Sequence, residues 1–204
     1  MSEVSAAQVR ELRDTTGAGM MDCKQALAES GGDLQRAIVY LREKGLAAAA
    51  KRSARVASEG LVGSYIHAGG KIGVLIEVNC ETDFVGRTPE FQTLVKDLAM
   101  QVAAASPRWV RREEVPADTI EAEHNIYRTQ AGGSGKPPAV IEKIVAGKLE
   151  KFFADTCLLE QPFIKDPQRT VGQLVTDSIA KIGENIVVRR FSRFQLGELT
   201  EAAA

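Results

Sequence analysis

The sequence predicts an α+β fold: a three-helix module, a helical linker, and a core in which helices pack on a small antiparallel sheet of about three strands. Three observations predict it. Apolar residues recur at helical spacing in several separated stretches. The runs LVGSYIH and KIGVLIEVN flank Ala68-Gly69-Gly70, a loop of the kind that closes a hairpin. A further strand-like run, NIVVRRFSRF, follows the last helical stretch.

Ser5 caps a first helix whose apolar residues Val9 and Leu12 lie three apart, and Gly17-Ala18-Gly19 breaks it. A second helix is expected over 21–29, stopped by Gly31-Gly32. Asp33 is an N-cap for a third, which carries Leu34, Ala37, Ile38 and Leu41 and places Gly45 at its C-cap. Each helix is too short to stand alone in water, so residues 1–45 must pack as one module. Residues 46–58, within LAAAAKRSARVASEG, read as a helical linker with too weak an apolar face to join either core.

The core is placed at 59–198, with a frayed tail at 199–204. Its second strand is continuously apolar at Val74, Leu75 and Ile76, which predicts cover on both faces. Thr88-Pro89 starts a helix with Phe91, Leu94, Val95, Leu98 and Val102 in one stripe, expected to lie on the hairpin. A helical pair follows over 117–131 and 138–153, separated by GGSGKPP, and a last helix runs from Val171 to Ile182, ended by Gly183.

Hydrophobic residues make up 44% of the 204 and charged residues 26%, a globular balance. The net charge of −1, from 26 basic and 27 acidic residues, offers no field for nucleic acid or a membrane, so neither is expected as a partner. Cys23, Cys80 and Cys157 are odd in number and far apart, without a C-x-x-C pair; this argues against zinc and fits a reducing cytosol. The charged start, MSEVSAAQVRELRD, and the lack of any apolar stretch of about 18 residues predict neither export nor a membrane span.

Several stretches imitate chemistry. GGSGKP at 132–137 resembles a phosphate loop, but Gln130 stands where the first glycine is required and Pro137 where a hydroxyl should be, so no direct nucleotide binding is expected. His67 and His124 are too far apart in the chain to suggest a shared metal or a relay, and Glu77, Glu81 and Asp83 lack a further ligand type. No metal, cofactor or catalytic residue is expected. Arg108, Arg111 and Arg112 around Trp109, and Arg189, Arg190 and Arg193 around Phe191 and Phe194, read as solvated faces alternating with core positions.

Met20 and Met21 follow a glycine turn. Adjacent helical residues point about 100° apart, so both cannot enter one small core and one is expected to face solvent as a flexible contact, the competing reading being that methionine here simply fills the core. Phe84 reads as core from periodicity alone. Against this, Thr82 and Asp83 lie in a segment that should turn, Gly86 relaxes the backbone, and Arg87-Thr88-Pro89 starts a helix at once. The ring then stands on a tight surface corner, where a rigid aromatic suits a pocket on another protein.

LRDTTGAGMMDCKQAL at 12–27 and GVLIEVNCETDFVGR at 73–87 resemble the two hallmark segments of the translation elongation factor Ts family. SGKP at 134–137, QPFIKDP at 161–167, TVGQLV at 170–175 and AKIGENIVVRR at 180–190 are similar to further segments of that family, so the resemblance spans almost the whole chain. It implies a non-catalytic guanine nucleotide exchange factor for elongation factor Tu, with a module similar to ubiquitin-associated domains at 1–45 and an α+β dimerisation core at 59–198. It also implies that Thr82, Asp83, Phe84 and Val85 push an aromatic ring between two helices of the partner's GTPase domain and disturb its magnesium site. By the same resemblance Arg13, Met20 and Met21 grip that domain, and His67 lies in a segment that reaches a second domain of the partner.

Two departures stand out. Gly86 occupies a position where the family more usually has alanine, so a looser loop is expected behind the ring. The chain carries one β-unit where longer members carry two, which makes it similar to short forms and implies a homodimer. The implied location is a bacterial cytoplasm, with a plastid stroma as the alternative. Two other functions compete: a ubiquitin-associated-like interaction module acting elsewhere, which leaves Thr82–Val85 unexplained, and an RNA-binding protein, suggested by the arginine-aromatic runs.

Overall fold

The computed structural model describes residues 4–133 and 137–198. The expected frayed tail at 199–204, and with it Ser134–Lys136 of the loop that imitates a phosphate site, lie outside the described residues. The fold is α+β, as the sequence predicts.

The first helix, α1 (Ala6–Thr16), opens with a capping box: the Ser5 hydroxyl accepts from the Gln8 amide at 3.2 Å, and the Gln8 side chain accepts from the Ser5 amide at 3.0 Å. Gly17 closes it at φ 67°, donating its N–H to the Arg13 carbonyl. The helices α2 (Met20–Glu29) and α3 (Leu34–Arg52) follow, the latter capped by Asp33, which accepts from the Arg36 amide at 3.0 Å. Val9, Leu12, Cys23, Ala26, Leu27 and Ala37 form the buried centre of this module, with Leu34, Ile38 and Leu41 packed against it. Lys44 ties α3 to α2 through Asp22 and Gln25, both at 2.9 Å.

Gly45 does not end α3. The helix runs on through the first half of the expected linker, and Ala49 within it is buried. A Cβ built at Gly45 would lie 3.1 Å from the Ala180 Cβ, so this glycine marks a close approach of two backbones instead of a stop.

The strands β1 (Glu59–Ile66) and β2 (Ile72–Cys80) form the expected hairpin. His67 donates to the Ile72 carbonyl at 2.9 Å, and Gly69 and Gly70 take φ values of 91° and 69° in the turn. A short helix, α4 (Asp83–Gly86), leads into α5 (Pro89–Ala105), then the helical pair α6 (Ala117–Gly132) and α7 (Pro138–Thr156). A small hairpin follows, β3 (Pro162–Phe163) with β4 (Asp166–Thr170), and then α8 (Val171–Ile182) and β5 (Val187–Gln195). The three-stranded antiparallel sheet has the order β1-β2-β5.

One strand expectation fails. Val74, Ile76 and Val78 are buried, but Leu75 between them is exposed, so β2 is covered on one face only. The β3–β4 hairpin has no strand signal, since one strand is two residues long and begins with proline. It is fastened instead by the buried Gln101. The amide of Gln101 donates to Gln161 Oε1 at 3.1 Å and to the Pro162 carbonyl at 3.2 Å, and its oxygen accepts from the Ile164 amide at 2.9 Å.

By contact density the chain divides into two compact units. One takes in the chain up to Leu61, with Asn79–Leu94 and Val175–Val187; the other takes in Val62–Val78, Val95–Leu174 and the chain from Val188 on.

Gly172, early in α8, gives a test of packing against propensity. Glycine to alanine in a helix ordinarily stabilises by about 1 kcal/mol. A Cβ here, however, would lie 2.8 Å from the Leu159 carbonyl oxygen. Gly172→Ala is therefore expected to destabilise by about 1–3 kcal/mol, read from the midpoint of urea unfolding.

Candidate partner-binding site

After β2 ends at Cys80, the chain must turn at once into α5, and two threonines define the corner. Thr82 is the N-cap of α4: its backbone is extended, with φ −127° and ψ 149°, and its hydroxyl accepts from the Val85 amide at 3.4 Å. Six residues on, the Thr88 hydroxyl accepts from the Phe91 amide at 3.3 Å and donates to the Val85 carbonyl at 2.8 Å. With both ends pinned, the ring of Phe84 stands on the outside of the corner and is 85% exposed. The core reading of Phe84 that periodicity alone suggests is therefore wrong, because a strand pattern says nothing of side chains beyond the strand's last residue.

Val85 is half-buried, and Asp83 accepts from the Arg87 side chain at 3.2 Å within the same turn. That pair is exposed, and such pairs contribute at most about 1 kcal/mol. Gly86 corrects the expectation of a looser loop. It is buried, and a Cβ built there would lie 3.3 Å from the Gly60 carbonyl oxygen, so the corner sits tightly on β1.

Three residues that sequence reasoning missed hold this corner from behind. Glu184 accepts from the amides of Glu81 and Thr82, each at 3.0 Å, and from the Thr82 hydroxyl at 2.6 Å. Asn185 donates its amide to Glu81 Oε1 at 2.6 Å. The Cys80 thiol donates to the Thr82 carbonyl at 3.2 Å; burial pushes its pKa up, and the nearby Glu184 carboxylate adds to the shift. All three cysteines are buried free thiols.

At the α1–α2 corner Met20 is 46% exposed and Met21 75% exposed. The helical rotation argument allowed for one exposed methionine, but both are, because Cys23, Ala26 and Leu27 already fill the module's centre. Arg13 is exposed in the last turn of α1. Arg13, Met20, Met21 and Thr82–Val85 all belong to the first compact unit, whereas His67 belongs to the second. His67 opens the hairpin turn, exposed, with Nδ1 3.1 Å from the Tyr65 hydroxyl.

The discounted residues are engaged within the fold. Glu77 pairs with Arg190 at 2.7 Å and Glu81 with Arg55 at 3.5 Å, and among the described residues no group of three acidic, histidine or cysteine side chains is placed to hold a metal. Arg112 lies 4.7 Å over the Phe153 ring and bonds Glu160 at 2.6 Å, which pushes its pKa up; Arg111 donates to the Val188 carbonyl at 3.0 Å, and Arg193 to the Ala103 carbonyl at 3.4 Å. Arg108 stacks 4.4 Å from the Trp109 ring. His124 lies 3.9 Å from Glu142. Among the described residues no helix is long and apolar enough to cross a membrane.

The fold and these corners define a class first: an α+β protein that displays an aromatic ring on a capped corner and two thioether side chains at the start of a helix, a surface chemistry suited to contact with other macromolecules. A family model described as "Elongation factor TS" matches residues 7–198. Proteins named "Elongation factor Ts" are similar over nearly the full length. That of Heliobacterium modesticaldum is 63% identical over 195 residues, 96% of this chain and 91% of its own. That of Geobacter sulfurreducens is also 63% identical over 195 residues, covering 96% and 90%, and that of Desulforamulus reducens is 62% identical over 198 residues, covering 97% and 91%. The chain belongs to the elongation factor Ts family.

Because its ring makes little use of the core, Phe84→Ala is expected to leave unfolding stability within about 0.5 kcal/mol of the parent, measured by urea denaturation. A loss above about 2 kcal/mol would mean that the ring is buried in solution.

Proposed function

We propose that this chain is a guanine nucleotide exchange factor for elongation factor Tu, working without covalent chemistry of its own. The observation that carries the proposal is the Phe84 ring, 85% exposed on a corner capped at both ends. In this reading the ring enters between two helices of the partner's GTPase domain, while Arg13, Met20 and Met21 of the module at 1–45 grip the same domain. His67, in the core at 59–198, meets a second domain of the partner. The setting is the bacterial cytoplasm.

The physical step is displacement of charge neutralisation. Magnesium in the partner bridges nucleotide phosphates and protein oxygens, so moving its ligands out of place weakens the hold on GDP. Binding of the exchange factor and of the nucleotide are then negatively coupled. By reciprocity, each nucleotide loosens the exchange factor by as much as the exchange factor loosens that nucleotide, so incoming GTP displaces it and the cycle turns.

The chain is also proposed to pair with a second copy through the outward face of its sheet. On that face Val62, Ile66 and Leu75 are exposed large apolar residues. Ile66 leans on Gly73, where a built Cβ would lie 3.1 Å from Ile66 Cδ1, which puts Ile66 on the same face as Leu75. An apolar sheet face of this kind is covered when two sheets stack.

The first test is release of fluorescent GDP from elongation factor Tu. The intact chain is expected to accelerate it, and Phe84→Ala to lose more than tenfold, about 1.4 kcal/mol of coupling or more. Unchanged release with the intact chain refutes the function. For the pairing, Leu75→Glu is expected to convert a dimer to a monomer in sedimentation equilibrium, since a desolvated carboxylate at the centre of a sheet interface is costly. A parent chain that sediments as a monomer removes that part of the proposal.

A further inference from the structure

We infer that Glu184 is a positioning residue for the Phe84 ring, and that Asn185 beside it fixes the same corner to the end of α3; the inference rests on the exchange reading above. Gly183, at φ 89°, ends α8 and turns the chain back on itself, which brings the next two residues against the corner. The Glu184 carboxylate then takes both consecutive amides of Glu81 and Thr82 on one oxygen and the Thr82 hydroxyl on the other. This last bond also sets the rotor of the cap. With its proton donated to Glu184, the Thr82 oxygen keeps its lone pairs for the Val85 amide, on the turn that carries Phe84.

Asn185 is buried and reaches the other way. Its side-chain amide donates to the carbonyls of Arg55 at 2.8 Å and Ser53 at 3.4 Å, just past α3, while its backbone amide holds Glu81. Arg55 closes the loop through its ion pair with Glu81. One dipeptide thus joins the corner bearing the ring to the helix that completes the methionine-bearing module. Every residue named lies within one compact unit. Such a device governs how the ring is presented, not whether the module can dock.

The test separates those two effects. In Glu184→Gln the amide cannot accept from two N–H groups and a hydroxyl as the carboxylate does. The maximal rate of GDP release at saturating exchange factor is expected to fall about tenfold, with the half-saturating concentration changed less than about threefold. Amide hydrogen exchange on the free variant should quicken at Glu81 and Thr82 by about tenfold or more, with α2 unaffected. Glu184→Asp, which keeps the charge, should recover part of both, and it carries both measurements if Glu184→Gln does not fold. Unchanged protection at Thr82, an unchanged maximal rate, or a loss confined to half-saturation overturns the inference. Failure of the intact chain to release GDP overturns the exchange reading instead, while the amide measurement on the free protein still reports the tether.

Discussion

The structure depends on holding a benzyl group out of its own interior. Burying a phenylalanine side chain gains about 1.5–3 kcal/mol, so an exposed ring on a soft loop would fold down onto the nearest apolar surface. Here that collapse is opposed by backbone geometry. Hydrogen bonds to charged groups contribute about 1.5–3 kcal/mol each, and Glu184 accepts three of them from two adjacent residues, Glu81 and Thr82. With the Thr82 and Thr88 caps added, the corner resists more strongly than the ring is drawn in. The buried Gly86 extends the effect, since the Gly60 backbone of β1 lies directly behind the turn and holds its backbone close to the strand.

The N-terminal module solves a related problem at smaller scale. Six buried residues make its centre, two of them alanines and one a cysteine, so there is no volume for two methionines as well. Their exposure follows from the size of the core. The Lys44 bridge to Asp22 and Gln25 and the packing of Gly45 against Ala180 give the module support that its own apolar area does not supply.

Much of this was legible in the sequence, for local reasons. The caps at Ser5 and Asp33, the glycine stops at Gly17 and Gly183, and the hairpin at Ala68-Gly69-Gly70 each express a conformational preference within a few residues. Phe84 was readable as exposed because three turn signals crowd around it. What escaped was non-local or depended on close approach. Glu184 and Asn185 lie more than a hundred positions from the residues they bind at the corner, and nothing in GEN announces a carboxylate aimed at two amides. Gly45 has the same composition as a helix stop, and only the neighbouring Ala180 shows that it serves packing. Leu75 looked buried because an apolar run does not reveal which face another layer will cover.

In the proposed exchange, division of labour between the two corners has an energetic logic. A factor that bound its partner chiefly through the ring would couple its whole affinity to the disturbed magnesium site, and by reciprocity bound GDP would oppose its docking with that whole affinity. In the proposed exchange, a grip placed on Met20, Met21 and Arg13 would supply affinity that does not oppose the nucleotide. The ring then needs to contribute only the coupled part. A single aromatic anchor is worth about 2–4 kcal/mol in favourable cases, about 30- to 1,000-fold in nucleotide affinity. That figure is reached only if the ring arrives in one orientation, since each alternative pose dilutes the coupled state in proportion to its population. On the proposed reading, rigidity at Thr82 is part of the coupling itself, and the Glu184 carboxylate with the buried Asn185 is the tether that would supply it.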